Sequence, residues 1–275
     1  KYLENYLRLR IKIIAIANSK KTLVEVNGID AKNWRKKLDI AQKTNLNDLF
    51  EKVKQLNLRN SIFIDNTADE RVSLEYKRYL ENNIGVVTCN KIACADNFKN
   101  YKTLKTISRK FNSPFLFETN VGAGLPVIDT LSNLIASGDQ IIKIEAILSG
   151  SLNYIFNNFR IEDSFYKIVE EAMKKGLTEP DPRIDLSGID VARKILILAR
   201  ESGLEIELSD VEIDSFLPKE VHDIKETDLF LKSLKKYSSH FNSYLKSARS
   251  NKASLKYVAR LNQGKAKVGL KEIHP

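Results

Sequence analysis

Short apolar runs alternate with helical patterns along the first half of the chain, and this alternation limits the folds open to it. Strands are predicted at 11–17, 61–65, 84–88 and 114–118, and helices at 47–56, 70–81 and 97–111. The runs are mostly apolar and do not alternate with polar residues, which favours a parallel sheet covered on both faces. The pattern therefore predicts an α/β fold.

The second half of the chain has a different pattern. After Gly122 a helix is predicted to about Ser137, followed by a strand at 141–148 and a hairpin around Asn262-Gln-Gly264. The remaining predicted elements are helices at 152–159, 163–174, 188–201, 227–235 and 237–248, and hairpin strands at 255–261 and 265–270. We therefore expect a second, α+β domain, with domains at 1–121 and 122–275.

The overall composition excludes several classes of protein. The 275 residues carry a formal net charge of +10, but the lysines are spread along the chain without interleaved aromatic residues, so no nucleic-acid partner is expected. No apolar run approaches the roughly 20 residues that cross a membrane, so no membrane partner is expected. Two cysteines, Cys89 and Cys94, fit a reducing cytosol better than a disulfide framework, which predicts a cytoplasmic protein.

The loops that follow the predicted strands are the first places to look for a ligand. Ligands of parallel sheets bind outside the carboxyl ends of the strands, here at 18–21, 66–69 and 89–91. A dinucleotide-binding sheet also needs a glycine-rich turn after its first strand, and none is present. Residues 1–10 resemble the helix that follows such a turn. We therefore expect the sequence to begin inside the fold, one strand and one loop late.

The run from Thr178 to Lys194 concentrates carboxylates, prolines and a lysine. Pro180 keeps Glu179 extended and Pro182 keeps Asp181 extended, because the residue before a proline avoids the helical region. Ser187 is predicted as an N-cap, with Asp190 at the spacing of a capping box. Asp190 and Lys194 are four residues apart and can pair on one helix face. The run is therefore either a ligand site or only a turn, a helix cap and a surface ion pair.

Several long motifs occur in the order found in homoserine dehydrogenases. They are Ile16-Ala-Asn-Ser-Lys20, Val87-Thr-Cys-Asn-Lys-Ile-Ala93, Glu118-Thr-Asn-Val-Gly-Ala-Gly-Leu-Pro126, Leu148-Ser-Gly-Ser-Leu-Asn-Tyr-Ile-Phe156 and the run that ends at Lys194. Asn60-Ser-Ile-Phe-Ile-Asp65 and Gly28-Ile-Asp-Ala-Lys-Asn-Trp34 make the chain most similar to the dehydrogenase part of fused aspartokinase–homoserine dehydrogenases. The resemblance covers essentially the whole chain. It implies a Rossmann-like sheet followed by a substrate and dimerisation domain, with dimerisation strands near 122–131 and 255–275.

The resemblance implies reversible conversion of L-aspartate 4-semialdehyde and L-homoserine with NAD(P)H. The implied catalytic residues are Lys91 and Lys194, because hydride reduction of an aldehyde leaves an alkoxide that needs a proton and a nearby positive charge. Asp190 would orient Lys194, and acidic groups would hold the substrate ammonium. The implied substrate-binding residues are Glu179, Asp185, Asp190, Gly150 and Ser151.

The cofactor is expected to be NADP, with NAD as the alternative. Basic residues, Lys20 and Lys21, occupy the place where an acid would favour NAD. The resemblance assigns cofactor binding to Asn18, Ser19, Lys20, Thr67, Ala68 and Lys91. It also implies a monovalent cation such as Na⁺, held by oxygen atoms of Glu118, Val121, Ala123 and Leu125.

The chain departs from the family pattern in places. Leu177 stands where many relatives carry tyrosine, Ile184 replaces a common aspartate, and Ser151 replaces a common threonine. With the glycine-rich turn and a closing C-terminal segment absent, the alternative is a truncated, non-catalytic dimerising or regulatory remnant. The expected partners are a small-molecule substrate, a second copy of the chain in a homodimer or higher homo-oligomer, and a fused aspartokinase domain.

Overall fold

The computed structural model describes residues 2–160, 163–222 and 224–274. The chain forms two compact units. Unit 1 contains the residues up to Val87 together with Leu104–Leu116, and unit 2 contains Thr88–Thr103 together with the residues from Phe117 on. No helix in these described ranges is both long and apolar enough to cross a membrane.

The elements up to the start of unit 2 are mostly short. They are α1 (Tyr2–Asn5), β1 (Ala15–Ala17), β2 (Lys21–Val24), α2 (Trp34–Asp39), β3 (Gln42–Lys43), α3 (Leu46–Leu56), β4 (Ile62–Asp65), α4 (Glu70–Ser73), α5 (Tyr76–Glu81) and β5 (Gly85–Thr88). The segment predicted as one helix at 70–81 is thus two helices. The first ends at Ser73, whose hydroxyl donates back to the Glu70 carbonyl at 2.7 Å, a bond that loosens a helix.

The next elements are α6 (Ile92–Ala95), α7 (Phe98–Lys110) and β6 (Phe115–Leu116). Strands β4, β5 and β6 form one sheet in that order, and β5 and β6 run parallel. Its core contains Phe63 stacked on Tyr79 at 4.1 Å between ring centroids, and Tyr76, which is fully buried. The Tyr76 hydroxyl donates to the buried Asp65 carboxylate. The parallel sheet confirms the predicted α/β class.

The strand predicted at 11–17 lies outside that sheet, so the expectation that 18–21 follows a parallel strand is wrong. Only Ala15–Ala17 is a strand, and β1 pairs antiparallel with β2, which pairs antiparallel with β3. The Asn18 side chain explains the reversal, because its oxygen accepts the N–H groups of Lys20 and Lys21, both at 2.8 Å. This turn returns the chain at once and makes a hairpin.

Unit 2 is mainly helical, with one four-stranded sheet. Its later elements are α8 (Val127–Ala136), β7 (Lys143–Ala146), α9 (Gly150–Asn158), α10 (Phe165–Lys174), α11 (Pro182–Leu186), α12 (Ile189–Glu201), β8 (Glu212–Asp214), α13 (Lys219–His222), α14 (Thr227–Lys236), α15 (Ser238–Ser250), β9 (Ser254–Asn262) and β10 (Lys265–Ile273). The sheet order is β7-β9-β10-β8, and only the β10–β8 pair is parallel. The predicted terminal hairpin is confirmed, with Lys265 opposite Asn262.

Helices α9, α12 and α15 pack against β9 of this sheet. The centre of the core is aromatic, since Phe165 stacks on Phe241 at 4.0 Å and Phe216 meets the edge of Phe156. Burial of several large rings is the main source of stability for such a unit. Helix α12 is the most deeply buried helix of unit 2, with nine buried residues, and it carries two of the predicted site residues.

The predicted strand near 122–131 is not present, because α8 begins at Val127. Pro126 occupies the N-cap position, and the Glu118 carboxylate accepts the N–H groups of Ile128 and Asp129, both at 2.8 Å. The carboxylate thus satisfies two of the unpaired donors of the first turn, which favours a helix at this point.

Candidate active site

Unit 2 brings together two lysines and one aspartate that are distant in sequence. Asp190 lies in the first turn of α12, and its Oδ2 is 2.6 Å from Lys194 Nζ, one turn later. Its Oδ1 is 3.4 Å from Nζ of Lys91, the residue that precedes α6. One carboxylate therefore holds two ammonium groups within reach of one small molecule.

The pKa of Asp190 shows how strongly the lysines act on it. Burial raises the pKa of its carboxyl, but the charges and hydrogen bonds of Lys194 and Lys91 outweigh burial and hold it below its usual value. Asp190 is therefore ionised at neutral pH. Its role is to orient the two lysines, because an ionised carboxylate has no proton to give.

Lys194 is the more enclosed of the two lysines, with 17% of its side chain exposed. Its Nζ also donates to the Leu148 carbonyl at 2.7 Å. Asp190 and Leu148 thus occupy two of its three N–H directions. Within the part of the chain that the structure describes, no acceptor takes the third, which leaves it for a substrate oxygen, as a proton donor requires.

A second polar cluster surrounds Asp185, on the short helix α11. Its Oδ1 accepts from the Ser151 hydroxyl at 2.7 Å, and its Oδ2 accepts from the Glu179 N–H at 2.9 Å. Ser151 also contacts Ser149, whose hydroxyl caps α9 by accepting the Leu152 N–H at 3.1 Å. Since a carboxylate has about four acceptor sites, Asp185 retains capacity for a substrate ammonium.

The segment Leu148–Ser151 joins the two clusters. Leu148 accepts from Lys194, and Ser151 donates to Asp185. Gly150 lies between them, and a Cβ built there would meet no atom within 4 Å. The carboxylate of Glu179 is exposed, and only its backbone N–H is tied to this cluster.

Asp181 has a structural role that the sequence did not indicate. Its side chain caps α11 by accepting the Arg183 N–H at 3.1 Å, and it pairs with the Arg183 guanidinium. Arg183 also donates to the carbonyls of Ile224, at 2.9 Å, and Lys225. The Arg183 hydrogen bonds lower the pKa of Asp181. Asp181 is extended, as predicted from Pro182.

The predicted capping box at Ser187 is wrong. Ser187 has helical dihedral angles and ends α11, whereas Gly188, at φ +76°, precedes α12. Positive φ suits glycine, and a Cβ at Gly188 would lie 2.0 Å from the Tyr257 hydroxyl oxygen. A glycine is therefore required between α11 and α12. The predicted Asp190–Lys194 pair is confirmed.

The predicted cation loop begins with Glu118, whose carboxylate is directed at the N-terminus of α8. The Leu125 carbonyl accepts from Val127 at 2.9 Å. In the described parts of the chain no backbone N–H donates to the carbonyl of Val121 or Ala123. Two unengaged carbonyls and a carboxylate with spare acceptor sites fit a hard monovalent ion, and the ligand set stays a prediction.

The predicted cofactor residues of unit 1 lie in two exposed loops. In the first, Asn18 holds the β1–β2 turn, Lys20 is exposed, and Lys21 Nζ donates to the Ala41 carbonyl at 2.9 Å. The Lys20 side chain extends from this turn and is suited to an anionic group. Thr67 and Ala68 are also exposed, and the Thr67 N–H donates to Asp65 at 2.7 Å. These loops fit an exposed phosphate and ribose, and the assignments stay predictions.

Comparison with known proteins decides the family. The model "Homoserine dehydrogenase, NAD binding domain" matches residues 2–118, and the model "Homoserine dehydrogenase" matches residues 126–275. The chain belongs to the homoserine dehydrogenase family. The resemblance inferred from the motifs is confirmed. The NAD-binding match also confirms a nicotinamide dinucleotide as the cofactor class of this homoserine dehydrogenase chain.

Relatives in other organisms include fused and separate homoserine dehydrogenases. The bifunctional aspartokinase/homoserine dehydrogenase of Haemophilus influenzae is 42% identical over 95% of this chain and 32% of its own length. The homoserine dehydrogenase of Saccharomyces cerevisiae is 38% identical over 73% of this chain and 57% of its own length. The chain thus spans about a third of the first relative.

Solved structures share the fold. A Candida auris protein of unknown function has a TM-score of 0.87 and 31% identity, over 99% of this chain and 79% of its own. A hyperthermophilic archaeal homoserine dehydrogenase in complex with NADPH has a TM-score of 0.69 and 22% identity, over 94% of this chain and 72% of its own. The second shows the fold only.

Proposed function

We propose that this homoserine dehydrogenase chain interconverts L-aspartate 4-semialdehyde and L-homoserine with NADP. The observation that carries the proposal is the pairing of Asp190 with both Lys91 and Lys194, at 3.4 Å and 2.6 Å. A reduced aldehyde needs positive charge and a proton at the same oxygen, and two lysines held by one carboxylate supply both.

Each residue acts on a different part of the substrate. The bound nicotinamide supplies the hydride in the reducing direction. Lys194 gives a proton from Nζ to the aldehyde oxygen as it becomes a hydroxyl, and Lys91 places positive charge beside that oxygen. In the reverse direction Lys194, as the neutral amine, takes the hydroxyl proton. Asp190 holds both lysines in place throughout.

The Asp185 cluster is suited to the other end of the substrate. An amino acid substrate carries an ammonium group, and Asp185 and Glu179 offer carboxylates near the site. Ser151 orients Asp185 through the 2.7 Å hydrogen bond from its hydroxyl. Binding the ammonium would fix the substrate so that its reacting carbon is presented in one geometry.

The test is the loss of turnover in Lys194→Ala. We expect kcat for homoserine oxidation with NADP to fall by roughly 10³-fold or more, because the variant loses the group that transfers the proton and Lys91 alone then faces the reacting oxygen. A matched control is Lys174→Ala, which breaks another i,i+4 pair, with Glu170 at 3.0 Å, on an exposed helix face. The control should retain kcat. Normal turnover in the purified Lys194→Ala protein would refute the role of Lys194.

We also propose a homo-oligomer in which the β9–β10 hairpin contributes to the interface, located in the cytoplasm. The support is the family resemblance and, for the compartment, that neither cysteine forms a disulfide. Aspartokinase is fused to the dehydrogenase in the relatives from Haemophilus influenzae and Zea mays, and we extend this fusion to the present protein. Sedimentation of the purified protein at several concentrations tests the oligomer.

A further inference from the structure

Arg200 is a buried cation near the end of α12 that the proposed chemistry does not use. None of its side chain is exposed. Its Nη1 donates to the carbonyls of Cys94, at 2.8 Å, and Asp96, at 2.6 Å. Its Nε donates to the Ile206 carbonyl at 3.1 Å, and its Nη2 to Glu207 Oε2 at 2.9 Å. A buried guanidinium needs such hydrogen bonds and ion pairs to offset its lost hydration, so these contacts fix its position.

The carbonyls of Cys94 and Asp96 belong to the end of helix α6. Lys91 is the N-cap residue just before this helix, and its carbonyl accepts the N–H groups of Cys94, at 3.1 Å, and Ala95, at 2.9 Å. Arg200 therefore binds one end of a single helical turn, and Lys91 forms the other end. Because a four-residue helix has almost no stability of its own, its position depends on such tertiary contacts.

Glu207, which pairs with Arg200, also binds the start of helix α7. Its two carboxylate oxygens lie 2.9 Å and 3.0 Å from the N–H of Phe98, the first residue of α7. The Arg200 guanidinium also lies 5.5 Å from the ring centroid of Phe98 and 5.5 Å from that of Tyr101. We call Arg200, Glu207 and the carbonyls of Cys94 and Asp96 the Arg200 clamp.

The clamp and the lysine site share the same two helices. Helix α6 packs on α12. Lys91 meets Asp190 near the start of α12, and the Arg200 clamp holds α6 near its end. The Lys91–Asp190 contact is partly exposed, at 30% and 31% of the two side chains, and a pair of that kind is weak by itself. The buried clamp is the stronger of the two attachments.

We propose that Arg200 is a positioning residue that keeps Lys91 against Asp190 by fixing helix α6 on α12. Arg200 touches neither of the two lysines in the structure, so it acts through the backbone of α6. Its kinetic consequence rests on the proposed function, whereas its effect on the placement of Lys91 does not.

The first experiment is a double-mutant cycle of Arg200→Lys and Lys91→Ala. Lysine keeps the charge but lacks the planar fork, so it cannot make all four hydrogen bonds. We expect Arg200→Lys to lower kcat roughly 10- to 100-fold, the size of effect that a small misplacement causes, with little change in KM for homoserine. In the Lys91→Ala background the same substitution should change kcat by less than about twofold. If the two substitutions lower kcat independently, so that their fold losses multiply in the double variant, the proposal is overturned.

The second experiment measures Lys91 directly and needs no catalysis. Brief acetylation followed by peptide mass spectrometry gives the labelling rate of Lys91 relative to the exposed Lys174. We expect the Lys91 rate to rise at least about threefold in Arg200→Lys, because the lysine leaves its carboxylate and becomes more accessible. An unchanged rate in a folded variant overturns the positioning role, whatever the kinetics show.

Two further variants keep these readings unambiguous. Glu205→Gln breaks an exposed ion pair with Lys102, at 2.7 Å, near the clamp, and it should alter neither kcat nor Lys91 labelling. Should Arg200→Lys fail to fold, Glu207→Gln keeps the guanidinium and takes its place in both experiments. A wild-type protein without homoserine oxidation would refute the proposed function and leave the labelling result decisive for Arg200.

Discussion

Asp190 holds two ammonium groups with one carboxylate, and its titration follows from that position. Its folded-state pKa lies below the value of about 3.9 for an unfolded chain. A lowered pKa means that the carboxylate stabilises the fold fully above the unfolded value, and that this contribution is lost as pH falls through the folded one. This contribution to stability is therefore lost only at acidic pH.

Asp190→Asn should remove this contribution at neutral pH. We expect the free energy of unfolding to fall by about 1–2 kcal/mol near pH 7, and the difference from wild type to shrink as the pH falls below about 4. Urea unfolding at several pH values measures it. Asp228→Asn, at an exposed position on α14, should show little difference. A gap between Asp190→Asn and wild type that is constant with pH would contradict the assignment.

Gly188 separates the helix that carries Asp185 from the helix that carries Lys194. We expect Gly188→Ala to lower the free energy of unfolding by at least about 3 kcal/mol, from positive φ and from overlap with Tyr257. Gly176→Ala has φ +66° and open space around a new Cβ, so it should cost about 1–2 kcal/mol. Equal costs in urea unfolding would show that the Tyr257 contact is unimportant.

Sequence reasoning singled out Lys91, Asp190 and Lys194, which the structure brings together, because they lie in long motifs. It missed Arg200, since nothing local distinguishes that arginine from others on a helix. Two of its three backbone partners are 104 and 106 residues away in sequence, and such long-range contacts leave no periodic pattern. Buried cations with distant partners are where sequence reasoning fails.

At the scale of elements, Glu118, whose carboxylate lies at the start of helix α8, has two interpretations. Glu118 was predicted as a cation ligand, and the structure shows its carboxylate on two N–H groups at the start of α8. Both roles use the negative charge. The capping role could not be predicted, because the carboxylate lies ten and eleven residues before the two N–H groups that it accepts, instead of at the usual N-cap position.

Glu118→Ala should destabilise the protein by about 1–2 kcal/mol, the usual range for a lost cap. Measuring thermal unfolding with Na⁺ and with a bulky organic cation separates the two roles. If Glu118 also binds a cation, Na⁺ should stabilise wild type more than the variant. Asp129→Ala, on the same helix turn but exposed, serves as control. Identical Na⁺ effects in all three proteins would leave Glu118 as a cap only.

The β1–β2 hairpin shows why the strand at 11–17 was misplaced. An apolar run indicates a strand but not its partner. The partner was decided by Asn18, whose side chain closes a turn within three residues. The other predicted strands of the first half, 61–65, 84–88 and 114–118, lie where the parallel sheet forms.

At the scale of the whole molecule, the formal charge of +10 bears on the choice of cofactor. NADP carries one more phosphate than NAD, so it should respond more strongly to the positive field of the protein. We expect KM for NADP to rise several-fold more than KM for NAD when salt increases from about 0.02 M to about 0.3 M.

Lys20→Glu should remove most of the NADP preference, whereas Lys36→Glu, also exposed in unit 1, should not. Steady-state kinetics with both cofactors measures this. Equal salt effects on the two KM values would contradict a 2′-phosphate site at this loop. Thr88–Thr103 belongs to unit 2 although its neighbours in sequence belong to unit 1, a grouping that no local sequence pattern indicates.

Helix α12 also fixes the distance and the relative orientation of Asp190 and Arg200. Asp190 and Arg200 are ten residues apart, about 15 Å along the axis, and both contact the segment that begins at Lys91. One inserted residue between them would rotate everything beyond it by about 100° and separate the two ends. Evolution or design can therefore vary the side chains of this stretch one at a time. A change in the length of this stretch breaks both contacts at once. Insertions or deletions between Asp190 and Arg200 should therefore be selected against more strongly than substitutions.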